Sequence, residues 1–448
     1  MSLTPSSAAS SVVHILQQAK AASHRLAMLS ADQKNQALET LAHLLIEQMD
    51  ALLAENAKDL AAQEGQISAS LYQRLKLDAG KLTQLAQGVK DVAQLPDPVG
   101  RVLQRTLLDD GLVLEKQSVP LGVIGIIFES RPDVIPQILS LILKSGNAVV
   151  FKGGSEAAHS NRAMMWLVQE MNARLPWLPV GWASLLESRE AVGEMLQYPQ
   201  YVDLVIPRGS NQLVQSIMAA TRIPVLGHAD GVCHLYVHPS AKVEAAIPVI
   251  LDAKCQYPAA CNALETLLVD VAMAQRLLPA FAQAAEVAQL QLKGCERTRR
   301  ILPQLEAATE ADWRTEYGEK VLSIRLVDGL SAAVEHINEY GSHHTDVILA
   351  EEAAAIDAFV ASVDSACVFA NASNRFADGF RFGFGAEIGI STAKTHARGP
   401  VGLEGLVIYK YIVKGSGQVV ADYVGAAPAR QFLHQPLPCA PAVPCGTS

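Results

Sequence analysis

The side chain best suited to covalent chemistry in this sequence is Cys261, in the run from Lys254 to Val269. Pro258 suits the first turn of a helix, and Ala260, Ala263, Leu264, Leu267 and Leu268 recur at helical spacing, which predicts Cys261 near a helix N-terminus. Unpaired N–H groups and the positive end of the helix dipole favour a thiolate there. The same short run also fits a buried strand from about Leu264, and a free cysteine can equally be an inert core residue. Cys255, six residues earlier, is a rival nucleophile without the helix-start context. A second group is suited to anions: Lys152 ends an apolar run and is followed by Gly153, Gly154 and Ser155, and Arg208, Gly209 and Ser210 open a helix. A strand-end lysine meets a ribose or phosphate, and a Gly-Ser helix start takes a phosphate oxygen, although each alone also reads as a solvated strand end or a capped turn. Neither G-x-G-x-x-G nor a P-loop pattern is present. His234 and His238 stand too far apart on a strand to share a metal, and His343 and His344 read as a solvated loop pair.

The elements that must position these groups follow from the apolar pattern. Residues 10–95 are Ala- and Leu-rich, with Leu38, Leu41, Leu44, Leu45 and Met49 at i, i+3, i+4 spacing, a helical lead-in of several segments. Pro96 to Gly100 breaks it, and residues 102–119 alternate around Asp109, Asp110 and Gly111, a hairpin signal. Short apolar runs at 121–128, 148–151, 182–186 and 202–206 then alternate with helical runs at 135–143, 156–171 and 212–220. That alternation predicts a parallel sheet covered on both faces, a Rossmann-like α/β architecture whose ligands sit at the carboxyl ends of the strands. A second α/β segment starts at about 229, with strands near 235–237, 264–269, 322–326 and 347–350 and a helix at 243–253. After Gln431 the proline-rich tail reads as a loose extension.

The bulk composition narrows the function classes. The chain has 448 residues, 50% of them hydrophobic and 18% charged, enough for a large core and two or three domains. A net charge of -9 gives no electrostatic footprint for nucleic acid or an anionic membrane. Seven irregularly spaced cysteines without a C-x-x-C pair suggest neither a disulfide framework nor a zinc site. With no signal pattern and no membrane-length apolar run, a cytoplasmic location is expected.

Order and spacing give these pieces a joint meaning. Pro120 to Phe128, the strand ending at Lys152, Arg208-Gly209-Ser210 and the Cys261 stretch together resemble the aldehyde dehydrogenase superfamily over nearly the whole chain. Within it the blocks Glu129 to Pro132, Gly153 to Ala157, Ile206 to Gly209, Cys261 to Glu265, Gly383 to Thr392 and His396 to Gly405 are similar to those of the γ-glutamyl phosphate reductase family. The resemblance implies a Rossmann-like dinucleotide-binding domain (1–101 and 120–228), an α/β catalytic domain holding Cys261 (229–400) and an oligomerisation β-ribbon (102–119 and 401–420), leaving 431–448 as tail.

The resemblance also implies chemistry. Cys261 would attack the carbonyl of γ-glutamyl phosphate, phosphate would leave, and NADPH would reduce the resulting thioester to glutamate-5-semialdehyde. Backbone N–H groups at Cys261, with Asn262 beside it, would hold the oxyanion. Arg131 stands where other superfamily members keep an oxyanion asparagine; it would hold phosphate or oxyanion, or form a structural ion pair. Glu316 is the implied partner of the nicotinamide ribose, and Ser391 and Thr392 would hydrogen-bond the amino-acid end of the substrate. His228 stands where a water-activating glutamate is usual, which fits an acyl enzyme exchanged with phosphate and not with water. A hydrolytic aldehyde dehydrogenase and a non-catalytic scaffold of the same fold are the competing readings. The residues do not select NADPH over NADH. The implied partners are a second copy of the chain, as homodimer or dimer of dimers, and a transiently associated glutamate 5-kinase.

Overall fold

The computed structural model describes residues 11–129, 131–209, 211–227 and 230–439. The chain divides into two compact units, one of Met1–Gly209, Ser216–Val225 and Gly402–Ser448, the other of Ser210–Gln215 and Leu226–Val401. The expected α/β architecture is present in both.

The first unit opens with five helices, Val12–Leu26, Ala31–Glu47, Met49–Gln63, Ala69–Leu75 and Ala79–Gln94. Their starts follow the sequence chemistry. Ser30 and Gln33 form a reciprocal capping box, and Ser11, Ser68 and Asp78 cap three of the other helices. Leu38, Leu41, Leu44 and Leu45 are all buried, whereas Met49 begins the next helix. The helices accompany a four-stranded parallel sheet in the order Ala183–Leu185, Ala148–Lys152, Val123–Phe128, Leu204–Arg208. Residues 123–128, 148–151 and 204–207 are completely buried, as expected of a sheet covered on both faces. The strand order reverses between Val123–Phe128 and Leu204–Arg208. A doubly wound sheet opens its ligand crevice at such a switch point, outside the carboxyl ends of the strands. Gly122 guards the opposite end. Its φ is +128°, and a Cβ there would lie 2.1 Å from Asp203 Oδ2, which accepts the Val123 N–H and pairs with Lys20.

The ribbon also belongs to this unit. Val102–Asp109 and Leu112–Pro120 pair antiparallel around Asp110 and Gly111, whose φ is +70°. Val407–Lys414 adds to Leu112–Pro120 over eight residue pairs. The tail is less loose than its prolines suggest. Gln435–Leu437 pairs with Arg105–Leu107 as the fourth strand, at the edge of its sheet, the position where a proline such as Pro436 is tolerated. The tail beyond Cys439 lies outside the described residues.

The second unit is built on seven parallel strands in the order Glu306–Ala307, Gln291–Gly294, Val321–Val327, Leu264–Asp270, Cys233–Val237, Thr345–Leu349, Cys367–Ala370. Side chains alternate between its two cores. Leu235, Leu267, Val269 and Val347 point to one, with the helices Val243–Cys255 and Val271–Val287; Tyr236, Leu268 and Ile348 point to the other, with Gly329–Tyr340 and Ala353–Ser362. Two expectations fail in this unit. Cys261 does not begin a helix: the preceding helix ends at Cys255, and residues 258–263 form turns that lead into the strand Leu264–Asp270. The long-range pairing of Leu264 with Cys233 settles the ambiguity in favour of the strand. His344 is completely buried beside Thr345, not solvated.

Candidate active site

Cys261 sits in the connection between a helix and a central strand, held on several sides by its own unit. Turn bonds from the N–H groups of Ala260 and Ala263 to the carbonyls of Tyr257 and Ala260 fix the connection. The Cys233 thiol donates to the Cys261 carbonyl at 3.4 Å. Gly231 packs against the same carbonyl so closely that a Cβ there would lie 2.1 Å from it, and no larger residue fits without moving the turn. The Gly231 N–H in turn donates to Glu316 Oε2 at 2.9 Å, which ties the family-implied ribose ligand to the Cys261 backbone.

The electrostatics reverse the expectation drawn from a helix start. Burial pushes the Cys261 thiol up to about 12, and the carboxylates of Glu316 and Glu387 push the same way. Arg375 is the opposing side-chain charge. Cys255 lies at the end of its helix with its own thiol raised by burial. Burial and the two carboxylates thus favour the protonated thiol at Cys261.

The other predicted residues of this unit divide between two elements. Asn262 is buried, and its Nδ2 donates to the Ala377 carbonyl at 2.8 Å, so the amide braces the 374–377 loop; its Oδ1 has no partner among the described residues. Ser391 ends the strand Gly389–Ser391, which pairs with Gly399–Val401. Its buried Oγ is likewise without a partner among the described residues. The Thr392 carbonyl accepts from Arg398 Nε. Glu387, in the glycine-rich segment, accepts the Gly379 N–H at 2.8 Å.

Sequence reasoning passed over two features near Cys261. Lys254 and Glu265 form a completely buried ion pair at 2.5 Å, one at the end of the helix before Cys261 and one on the strand after it. Burial pushes the Glu265 carboxyl up to about 8 against the pull of Lys254. The other is Arg375, which follows Asn374 in a segment without a recognisable motif.

Of the predicted anion-binding residues, Lys152, Gly153, Gly154, Ser155, Arg208 and Gly209 lie in the first unit, at the carboxyl ends of its sheet. Lys152 ends its strand half-buried; desolvation pulls its pKa down, Glu156 raises it, Arg189 lowers it and Glu129 raises it. Gly153 is pressed against Asn161, whose Nδ2 would lie 2.2 Å from an added Cβ, and Gly154 lies under the Glu156 carboxylate. Ser155 starts a short 3-10 turn before the helix Ala158–Arg174. Arg208 ends the strand beyond the switch point, and its carbonyl accepts the Glu129 N–H at 3.3 Å. Gly209 follows at an exposed bend. Ser210 and His228 lie outside the described residues. Arg131 forms an ion pair with Asp133 at 2.9 Å.

A model of the aldehyde dehydrogenase family matches residues 2–310. A curated γ-glutamyl phosphate reductase from a Synechococcus species is 52% identical over 439 residues, covering 97% of this chain and 96% of the relative. The chain belongs to the aldehyde dehydrogenase family, on its γ-glutamyl phosphate reductase branch. The γ-glutamyl phosphate reductase of Acetivibrio thermocellus is 48% identical, over 94% of this chain and 97% of the relative. The crystal structure of γ-glutamyl phosphate reductase from Thermotoga maritima superposes with a TM-score of 0.89 at 38% identity, covering 92% of this chain and 100% of the other. An acetylating aldehyde dehydrogenase from Geobacillus thermoglucosidasius, 18% identical with a TM-score of 0.62, shares the fold.

An oxidoreductase of this family implies a nicotinamide cofactor, and the first unit fits one. The fit rests on a strand-end lysine without an ion-pair partner among the described residues, a close backbone turn at Gly153 and Gly154, and the buried Asn161 Oδ1, unpartnered among the described residues. Among the described residues no cluster of metal-ligating side chains occurs, and no helix is long and apolar enough to cross a membrane.

Proposed function

We propose that this chain reduces γ-glutamyl phosphate to glutamate-5-semialdehyde and phosphate with NADPH, a step of proline biosynthesis, through a thioester on Cys261. The supporting observation is the near-full-length identity of about half to reductases of that name, combined with a cysteine locked at the entrance of a central strand.

In this mechanism the Cys261 sulfur attacks the acyl carbon, the bond from that carbon to the bridging phosphate oxygen breaks, and phosphate leaves with the electron pair and takes up the thiol proton. The backbone N–H groups of Cys261 and Asn262, which make no turn bond among the described residues, stabilise the oxyanion. The reduced nicotinamide, when bound, supplies the hydride. Lys152, Gly153, Gly154, Ser155, Arg208, Gly209 and Ser210 hold the dinucleotide, and Glu316 receives its ribose hydroxyls. Collapse of the reduced adduct breaks the carbon–sulfur bond, frees the aldehyde and releases the sulfur as a thiolate, which regains its proton from solvent. Ser391 and Thr392 bind the amino-acid end. The labile acyl phosphate has to come from a glutamate 5-kinase acting beforehand, and a cytoplasmic location accords with this.

The test is Cys261→Ala. Turnover in either direction should fall below about a thousandth of wild type, as expected for a lost nucleophile, with NADPH binding by fluorescence retained. Turnover within about tenfold of wild type would assign the covalent role elsewhere.

A further inference from the structure

Arg375 is 9% exposed, and among the described residues no carboxylate lies within ion-pair distance of it. Its guanidinium is held by neutral groups. Nε donates to Gln256 Oε1 at 3.0 Å, and the ring of Tyr257 lies 5.8 Å from Cζ. Gln256 and Tyr257 belong to the same connection as Cys261, so the positive charge is fixed to the nucleophile's own loop. A second arginine makes the arrangement more unusual. Arg381 Nη1 donates to the Arg375 carbonyl, and Arg381 also lacks a carboxylate within ion-pair distance among the described residues. Burial first, and then repulsion from Arg381, pull the Arg375 pKa down, while Cys261, Asp378 and Asp252 act the other way. Proteins rarely bury a guanidinium beside a like charge unless an anion completes the site.

We infer that Arg375, seconded by Arg381, binds the phosphate group of the acyl phosphate substrate, and inorganic phosphate when the reaction runs backwards. The inference rests on the acyl phosphate reading above. Among the substrate's anions the phosphate fits best, because it is attached to the carbon that Cys261 attacks, and Arg375 is hydrogen-bonded to Gln256 of the connection that carries Cys261. The α-carboxylate, several bonds away, is the poorer match. A planar guanidinium also matches phosphate oxygens in bidentate fashion. Forward, it takes the charge that builds on the departing oxygen as the carbon–oxygen bond breaks. Arg131, already paired with Asp133, is not needed for this.

The test uses full-length protein in the reverse direction, with semialdehyde, NADP+ and inorganic phosphate. In Arg375→Gln the KM for phosphate should rise roughly tenfold to a hundredfold while that for semialdehyde changes less than about threefold; Arg375→Lys should recover part, and Arg381→Gln should show a smaller rise. A second readout needs no turnover. Inorganic phosphate should slow alkylation of Cys261 by iodoacetamide in wild type, and this protection should be lost in Arg375→Gln and weakened in Arg381→Gln. An unchanged KM for phosphate, a parallel rise in both KM values, or slower alkylation with phosphate protection intact would overturn the assignment, the last by showing that Arg375 serves only the thiolate. Should Arg375→Gln fail to fold by circular dichroism, Arg375→Lys and Arg381→Gln decide by the same two readouts. Wild-type turnover without phosphate would instead refute the acyl phosphate reading itself.

Discussion

At the scale of single residues, Cys261 could be picked out from sequence, but its electrostatic setting could not. The helix-start argument promised a stabilised thiolate. Burial together with Glu316 and Glu387 gives a raised thiol, because the charges that matter come from residues 55 and 126 positions later in the chain. The same holds for Lys254 and Glu265, eleven residues apart, whose pairing depends on a helix end meeting a strand start. This buried pair clamps both sides of the Cys261 turn. Removing one partner by Glu265→Gln or Lys254→Met leaves the other uncompensated and should cost about 3–5 kcal/mol in denaturant unfolding, whereas the double replacement Lys254→Met with Glu265→Leu should cost far less. Additive losses in the double variant would show that the two groups do not act as a pair.

At the scale of elements, the parallel strands that read as uninterrupted apolar runs were legible to within two or three residues, whereas Gln291–Gly294, Glu306–Ala307 and Cys367–Ala370, short strands toward the two sides of the second sheet, were not. The hairpin was legible from Asp110 and Gly111. The run after Cys261 was not, since a short apolar segment fits helix and strand alike and only pairing with Cys233 decides. Nor was the strand Gln435–Leu437, hidden among prolines. The ribbon carries its own prediction. Val407–Lys414 is an edge of its sheet, and Tyr409, Tyr411 and Val413 on one face are 43%, 61% and 55% exposed. An exposed, β-forming edge of this length pairs with something, and we propose a second copy of the chain. Light scattering at micromolar concentration should give a dimer or dimer of dimers, and Tyr411→Glu with Val413→Glu should shift it to monomer. A monomeric wild type, or a variant of unchanged mass, would contradict the proposal.

At the scale of the whole molecule, neither unit carries a motif sufficient by itself. Lys152 or Gly209 alone reads as an ordinary strand end or bend; their order along 448 residues, with Cys261 and the glycine-rich 383–392 segment, is what carried the family resemblance. That resemblance supplied the reaction, while Arg375 on the Cys261 connection and the buried Lys254–Glu265 pair became visible only when folding brought separate segments together. The central claim is that Cys261 carries an acyl group destined for phosphate. Its most direct test is NADP+ reduction by glutamate-5-semialdehyde with and without inorganic phosphate. Sustained turnover should require phosphate, and its omission should leave at most a single burst equal to the number of enzyme sites. Steady turnover at the same rate in phosphate-free buffer would mean that water takes the acyl group, and the account would be wrong.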